Sequence, residues 1–177
     1  MLAASAFMLV FRLLHIVCGV LWVGSAFLFV GFIGPSAAEV GPSAGPLLTA
    51  AVKKRKVAKV ITGLAMVTVA AGWVMWLKDL HDRGWSLSAW LGEHMGFGLT
   101  IGAVIATIAL FEGLYGVGRN VERLVDLGGE VAASGGPPSP EQAAEMGRVQ
   151  AALQKHGKQD LVLLLLAVST MATARYW

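Results

Sequence analysis

The sequence is poor in cysteine, tyrosine and charge. Of its 177 residues one is cysteine, Cys18, two are tyrosine, and 14% are charged, where an ordinary soluble domain has about 25%. A lone cysteine closes no intrachain bridge, which excludes a secreted disulfide scaffold. No glycine-rich phosphate loop, Ser/His/Asp set or pair of catalytic acids is present, and no internal repeat or low-complexity tract beyond one Gly/Pro stretch. What fills the chain is apolar: 56% of residues are hydrophobic and the mean hydropathy is +0.67. These residues fall in blocks of roughly 20 or more, the length that crosses a bilayer. Such a chain is an integral membrane protein, neither a soluble enzyme nor a nucleic-acid module. The net charge of +3 then encodes topology more than a basic partner surface.

The blocks cover about 7–33, 57–77, 90–118 and 160–176. They predict an all-α, single-domain, four-transmembrane-helix bundle with a cytoplasmic helical hairpin in loop three, residues 119–158. The first block is closed by Gly34-Pro35, a dipeptide that helices rarely pass. It lacks the N-terminal charge, short apolar core and small-residue cleavage site of a secretory signal, so it is read as retained. Orientation follows from the basic residues, because positive loops stay in the cytoplasm. Ten of them (Lys53, Lys54, Arg55, Lys56, Lys59, Arg119, Arg123, Arg148, Lys155 and Lys158) lie on one side, against four, Arg12, Lys78, Arg83 and Arg175, on the other. Both termini therefore face outward. Trp73, Trp76, Trp85, Trp90 and Trp177 gather at the outer boundary, where amphipathic rings settle, while Trp22 is mid-membrane.

In loop three the third span continues as a helix through Leu127 and stops at Gly128-Gly129, a C-cap signal. A flexible stretch ends at Gly135-Gly-Pro-Pro138. Ser139-Pro140-Glu141-Gln142 then reads as a capping box with proline in the first turn. Ala143, Met146, Val149, Gln150 and Leu153 share a face of the helix it starts, so the hairpin packs on itself or on residues 46–56, or docks a partner.

Ionisable residues inside a membrane are expensive and point to function. His15 lies about 12 Å below the outer end of span one, and His94 opens span three at a comparable depth. Each is followed four residues on by glycine, Gly19 and Gly98, on the same helical face, and Gly102 and Ala106 extend that face as a groove. Two imidazoles facing each other across a flat slot suit haem b, with Arg12 placed for a propionate. Small-xxx-small patterns also mark plain helix contacts, and a membrane histidine can satisfy itself on a neighbouring carbonyl. Copper is the lesser alternative, with Cys18 one turn from His15 and Met8, Met75, Met95 and Met171 in the outer half. Glu112, near the inner boundary, is read as a partner of Arg119, Lys59 or the Tyr115 hydroxyl, or as a proton relay; His81 is a substitute ligand and His156 is not one.

The opening Arg12-Leu-Leu-His15-Ile-Val-Cys-Gly19-Val-Leu-Trp22-Val-Gly24, the Gly96-Phe-Gly98-Leu-Thr-Ile-Gly102 run and the Ala172-Thr-Ala-Arg175-Tyr176 ending resemble uncharacterised four-helix bacterial membrane proteins related to the copper-resistance protein D superfamily. The resemblance implies a bacterial inner-membrane location and a haem or metal role for His15. It does not extend to the lysine that accompanies this histidine in membrane protoporphyrinogen oxidases, nor to the Met and His density of copper importers. The sequence is thus read as a b-type haem protein with metal ligands His15 and His94. It would pass electrons near the outer face to a quinone or redox protein. The alternatives are a cofactor-free accessory or structural subunit of a larger membrane complex, and a copper-handling permease. On this topology a reporter fused after Trp177 reports the outer compartment and one inserted at Gly135 the cytoplasm, and the opposite labelling overturns the orientation.

Overall fold

The computed structural model describes residues 2–176 and is helical, with no strand among them; Trp177, assigned above to the aromatic boundary, lies outside the described residues. The first helix is longer than its sequence pattern predicts. α1 (Leu2–Leu28) runs through a π-helical segment (Phe29–Ile33) into α2 (Gly34–Val40), so the apolar rod spans Ala6–Val40. Gly34-Pro35 does not close it. Proline has no N–H to give and its ring crowds the preceding turn, but the π turn re-registers the bonding. The Gly34 N–H reaches the Phe29 carbonyl five residues back, and Pro35 falls in the first turn of α2, where a missing donor costs little. The rod ends at Gly41, whose φ of +68° suits glycine.

A short α3 (Gly45–Thr49) and a second π-helical segment (Ala50–Lys54) lead to α4 (Val57–Asp82). A turn then enters α5 (Leu87–Gly92), capped by Ser86, whose Oγ accepts the Ala89 N–H at 3.3 Å. α6 (His94–Phe111), a third π-helical segment (Glu112–Gly118) and α7 (Arg119–Ser134) form one continuous rod. The predicted stop at Gly128-Gly129 is passed, and the helix ends at Gly135, φ +68°. Glycine inside a helix costs about 1 kcal/mol against alanine, and tertiary docking offsets it here. Leu127, just before the pair, is 2% exposed, and Arg123 reaches Glu145 across the hairpin at 3.4 Å. α8 (Pro140–Thr173) begins with the predicted capping box: Ser139 Oγ accepts the Gln142 N–H at 3.2 Å, and Gln142 Oε1 accepts the Ser139 N–H at 3.0 Å.

Four long helices pack as a ring, α1 on α4, α4 on α6, α6 on α8 and α8 back on α1. Its centre is Trp22, Ala65, Ala109 and Leu164, one residue from each helix. Three rods, Ala6–Val40, Val57–Asp82 and His94–Ser134, are long and apolar enough to cross a membrane. α1 turns Leu9, Val10, Leu13, Val17 and Val20 outward, the surface expected against lipid. α7 packs on both α8 and α3, so the two packing modes expected for the hairpin coexist. Lys53 meets Asp126 at 3.3 Å. Of the predicted α8 face, Val149 is buried and Met146 and Leu153 half-buried, whereas Ala143 and Gln150 are exposed.

Small residues set the spacing. A Cβ on Gly96 would stand 1.9 Å from the Trp90 carbonyl oxygen and 2.7 Å from its ring, whereas one on Gly63 would meet nothing within 4 Å. Gly96→Ala should therefore cost about 1–3 kcal/mol of stability by overpacking. Gly63→Ala should add about 0.4–1 kcal/mol by restricting the unfolded chain. Thermal unfolding of both variants in detergent checks the opposite signs.

Candidate functional site

The bundle has a tryptophan end, with Trp73, Trp76, Trp85 and Trp90, and a basic end, with Lys53, Lys59 and Arg119. His15 sits between α1 and α4, and its Nδ1–H donates to the Thr68 carbonyl at 2.8 Å. Gly72, one turn on, makes room for the ring: a Cβ there would stand 3.0 Å from His15 Cε1. His15 also borders a cavity on the bundle axis with Val69, Gly72, Trp73, Ala103, Ala106 and Met171. Its volume is about 10 Å³, barely that of one water.

His94 is not brought to His15. The axial cavity places His15 level with Ala103 and Ala106, about 14 to 18 Å further along α6 than His94. His94 itself is exposed at the tryptophan end. The glycines of the expected groove face other helices. Gly19 lies against the Thr68 side chain, at 3.3 Å from a built Cβ. Gly98 lies against Ala174, at 2.8 Å, and Gly102 against Met171, at 2.5 Å. Arg12 is exposed. Cys18 is a half-buried free thiol. Among the described residues no three His, Cys, Asp or Glu side chains converge as metal ligands.

Trp73 and Trp76 act as clamps between helices. Their indole N–H groups donate to Thr107 Oγ1 at 3.0 Å and Thr100 Oγ1 at 2.8 Å, tying α4 to α6. The turn beside them is pinned by Arg83. Its Nε and Nη2 hold Glu93 at 3.0 and 2.7 Å, its Nη1 donates to the Asp79 carbonyl at 3.0 Å, and its guanidinium lies 4.3 Å over the buried Trp90 ring.

A second polar group lies toward the basic end. Glu112 opens the π-helical segment, and its Oε1 is 2.6 Å from His156 Nδ1 on α8. Neither Arg119, Lys59 nor Tyr115 fills the partner role expected of them; Arg119 stacks over Tyr115 at 4.8 Å. Gly116 is what admits the imidazole, since a Cβ there would stand 2.7 Å from His156 Nδ1 and 3.0 Å from Glu112 Oε1. One turn after His156, Asp160 is 6% exposed and its Oδ1 has no hydrogen-bond partner. Its carboxyl faces Gly113, where a Cβ would stand 3.9 Å from Oδ1 and 4.0 Å from Oδ2. By its sequence pattern Asp160 is a span boundary and His156 is not a ligand. Their i, i+4 spacing on one helical face was the available signal.

No known family, curated protein or solved structure matches the chain.

The Arg83 hydrogen bonds hold the Glu93 carboxyl below its usual range. A depressed carboxyl stabilises the fold above its unfolded value, here 4.5, and that contribution is lost as pH falls through the lowered native value. Amide exchange over residues 86–93 should therefore speed up below that range beyond its intrinsic pH dependence. Glu93→Gln should loosen the same turn at neutral pH and remove the acid dependence.

Proposed function

We propose that this chain is a four-span integral protein of a bacterial inner membrane, with both termini outside and the α7–α8 hairpin in the cytoplasm. It serves as a cofactor-free accessory subunit of a larger membrane complex. The fourth span is the apolar second half of α8, from Asp160 onward, and it completes a ring whose other three members are long and apolar enough to cross by themselves. The ten basic residues at one end support the orientation.

The observation that carries the cofactor-free reading is the closure of the bundle around His15. A porphyrin needs a pocket of several hundred Å³, and the axis at this imidazole offers about 10 Å³. Gly98 and Gly102, which would have to leave a slot, are filled by Ala174, Thr170 and Met171. The accessory role is supported by α1, whose long apolar rod touches few neighbours besides α4 and leaves a broad face for lipid or for a protein neighbour.

A second reading, haem b bound through His15, is favoured by one detail. Donation from Nδ1 to a backbone carbonyl is how ligating imidazoles are held in orientation, and it leaves Nε2 with its lone pair. The absorption spectrum of protein purified after expression with ample haem separates the two. The cofactor-free reading expects no haem bands, and migration within a larger assembly when native membranes are solubilised mildly. Haem bands on reduction, lost in His15→Ala, would replace it with the haem reading.

A further inference from the structure

We propose that Glu112, His156 and Asp160 form a proton-binding centre at the basic end of the bundle, in which Asp160 gains and loses the proton. This goes beyond the accessory role and stands on separate observations. Asp160 is more than nine-tenths buried, and its Oδ1 lies without a hydrogen-bond partner against the helix that carries Glu112. A buried carboxylate with no partner is expensive, so such a group persists where it has a ligand to exchange. The available ligand is set by the donor count. A metal ion needs several oxygens or nitrogens converging on one point, and no such set of three exists among the described residues. A proton needs one oxygen.

Among the described residues no basic group makes an ion pair with Asp160. From the π-helical segment the charged group that acts on it is Glu112. On its own helix His156 stands one turn earlier, engaged with Glu112. From the Phe29–Ile33 segment the neighbour is Val30, packed at 3.2 Å on a built Cβ of Gly157. On α7 the basic group Arg123 is spent on Glu130 and Glu145. Glu112 also lines a surface groove of about 470 Å³ with Lys158, Gln159, Val162 and Leu163. The centre is thus reached from the bundle surface by way of Glu112. Uptake adds one proton to the Asp160 carboxylate and release returns it to the groove, with no other bond made or broken. Two departures from α geometry, at Phe29–Ile33 and Glu112–Gly118, pack on α8 in this region, and π-helical segments recur where function requires a distorted backbone.

The test is the infrared carboxylic C=O band of the full-length protein in lipid nanodiscs, titrated over about pH 5 to 8, the range in which imidazole also titrates. The expected result is a protonated-carboxyl band that titrates in this range, shifts on labelling aspartate with carbon-13 and disappears in Asp160→Asn. Glu112→Gln should displace its midpoint. Where Asp160→Asn misfolds, Asp160→Glu keeps a carboxyl at the site and should remove the aspartate isotope shift from the titrating band; a shift that persists in Asp160→Glu overturns the proposal. No titrating aspartate band, or one that survives Asp160→Asn, overturns the proposal. Loss of the band on adding sodium at fixed pH overturns it in favour of a cation site. A haem spectrum would defeat the cofactor-free reading while leaving this result unchanged.

Discussion

Close approach between helices is the constraint on which this structure depends. In lipid there is no hydrophobic gain from joining two apolar helices, so association rests on van der Waals contact and the few polar bonds that backbones can reach. The seam between α6 and α8 meets that demand with Gly98, Gly102 and Ala106 on one side and Ala167, Met171 and Ala174 on the other. The seam between α1 and α4 meets it with Gly19 under Thr68 and Gly72 under His15. Each glycine is matched to one particular neighbour, and that matching sets the register of the bundle.

The polar bonds follow from the same closeness. Because α4 stands near α1, the Thr68 carbonyl is within reach of an imidazole; because it stands near α6, two indole N–H groups find threonine hydroxyls. Thr68, Thr100 and Thr107 in turn donate to carbonyls four residues back on their own helices, so no hydroxyl among them is left idle. At the tryptophan end one buried donor, Trp90 Nε1, is left without a partner. The uncommitted oxygen lies toward the other end, on Asp160.

Much of the architecture was legible in the sequence, since apolar block length and the capping box at Ser139 depend on local chemistry. The misreadings fall where a neighbour overrides a local rule. Gly34-Pro35 is a breaker until a π turn re-registers the carbonyls before it, and Gly128-Gly129 is a stop until Leu127 docks. His15 and His94 come out level when counted from the span ends, yet His15 sits beside Ala103 and Ala106, more than two turns along α6 from His94. His156 lies in a stretch too charged to read as part of a span, Asp160 reads only as the start of one, and nothing local says that Glu112 comes opposite them.

The π-helical segment Glu112–Gly118 joins two rods that face different partners. Before it, the small residues of α6 look into the bundle; after it, Leu127 of α7 packs in the hairpin. One residue more or less in a helix turns everything beyond by about 100°. The wide turn therefore acts as a phase adjuster between two interfaces that would otherwise compete for one helical face. Removing a single residue there would leave both rods helical and apolar patterning intact, yet swing α7 away from α3 and α8. The length of this chain is under a constraint that composition does not register.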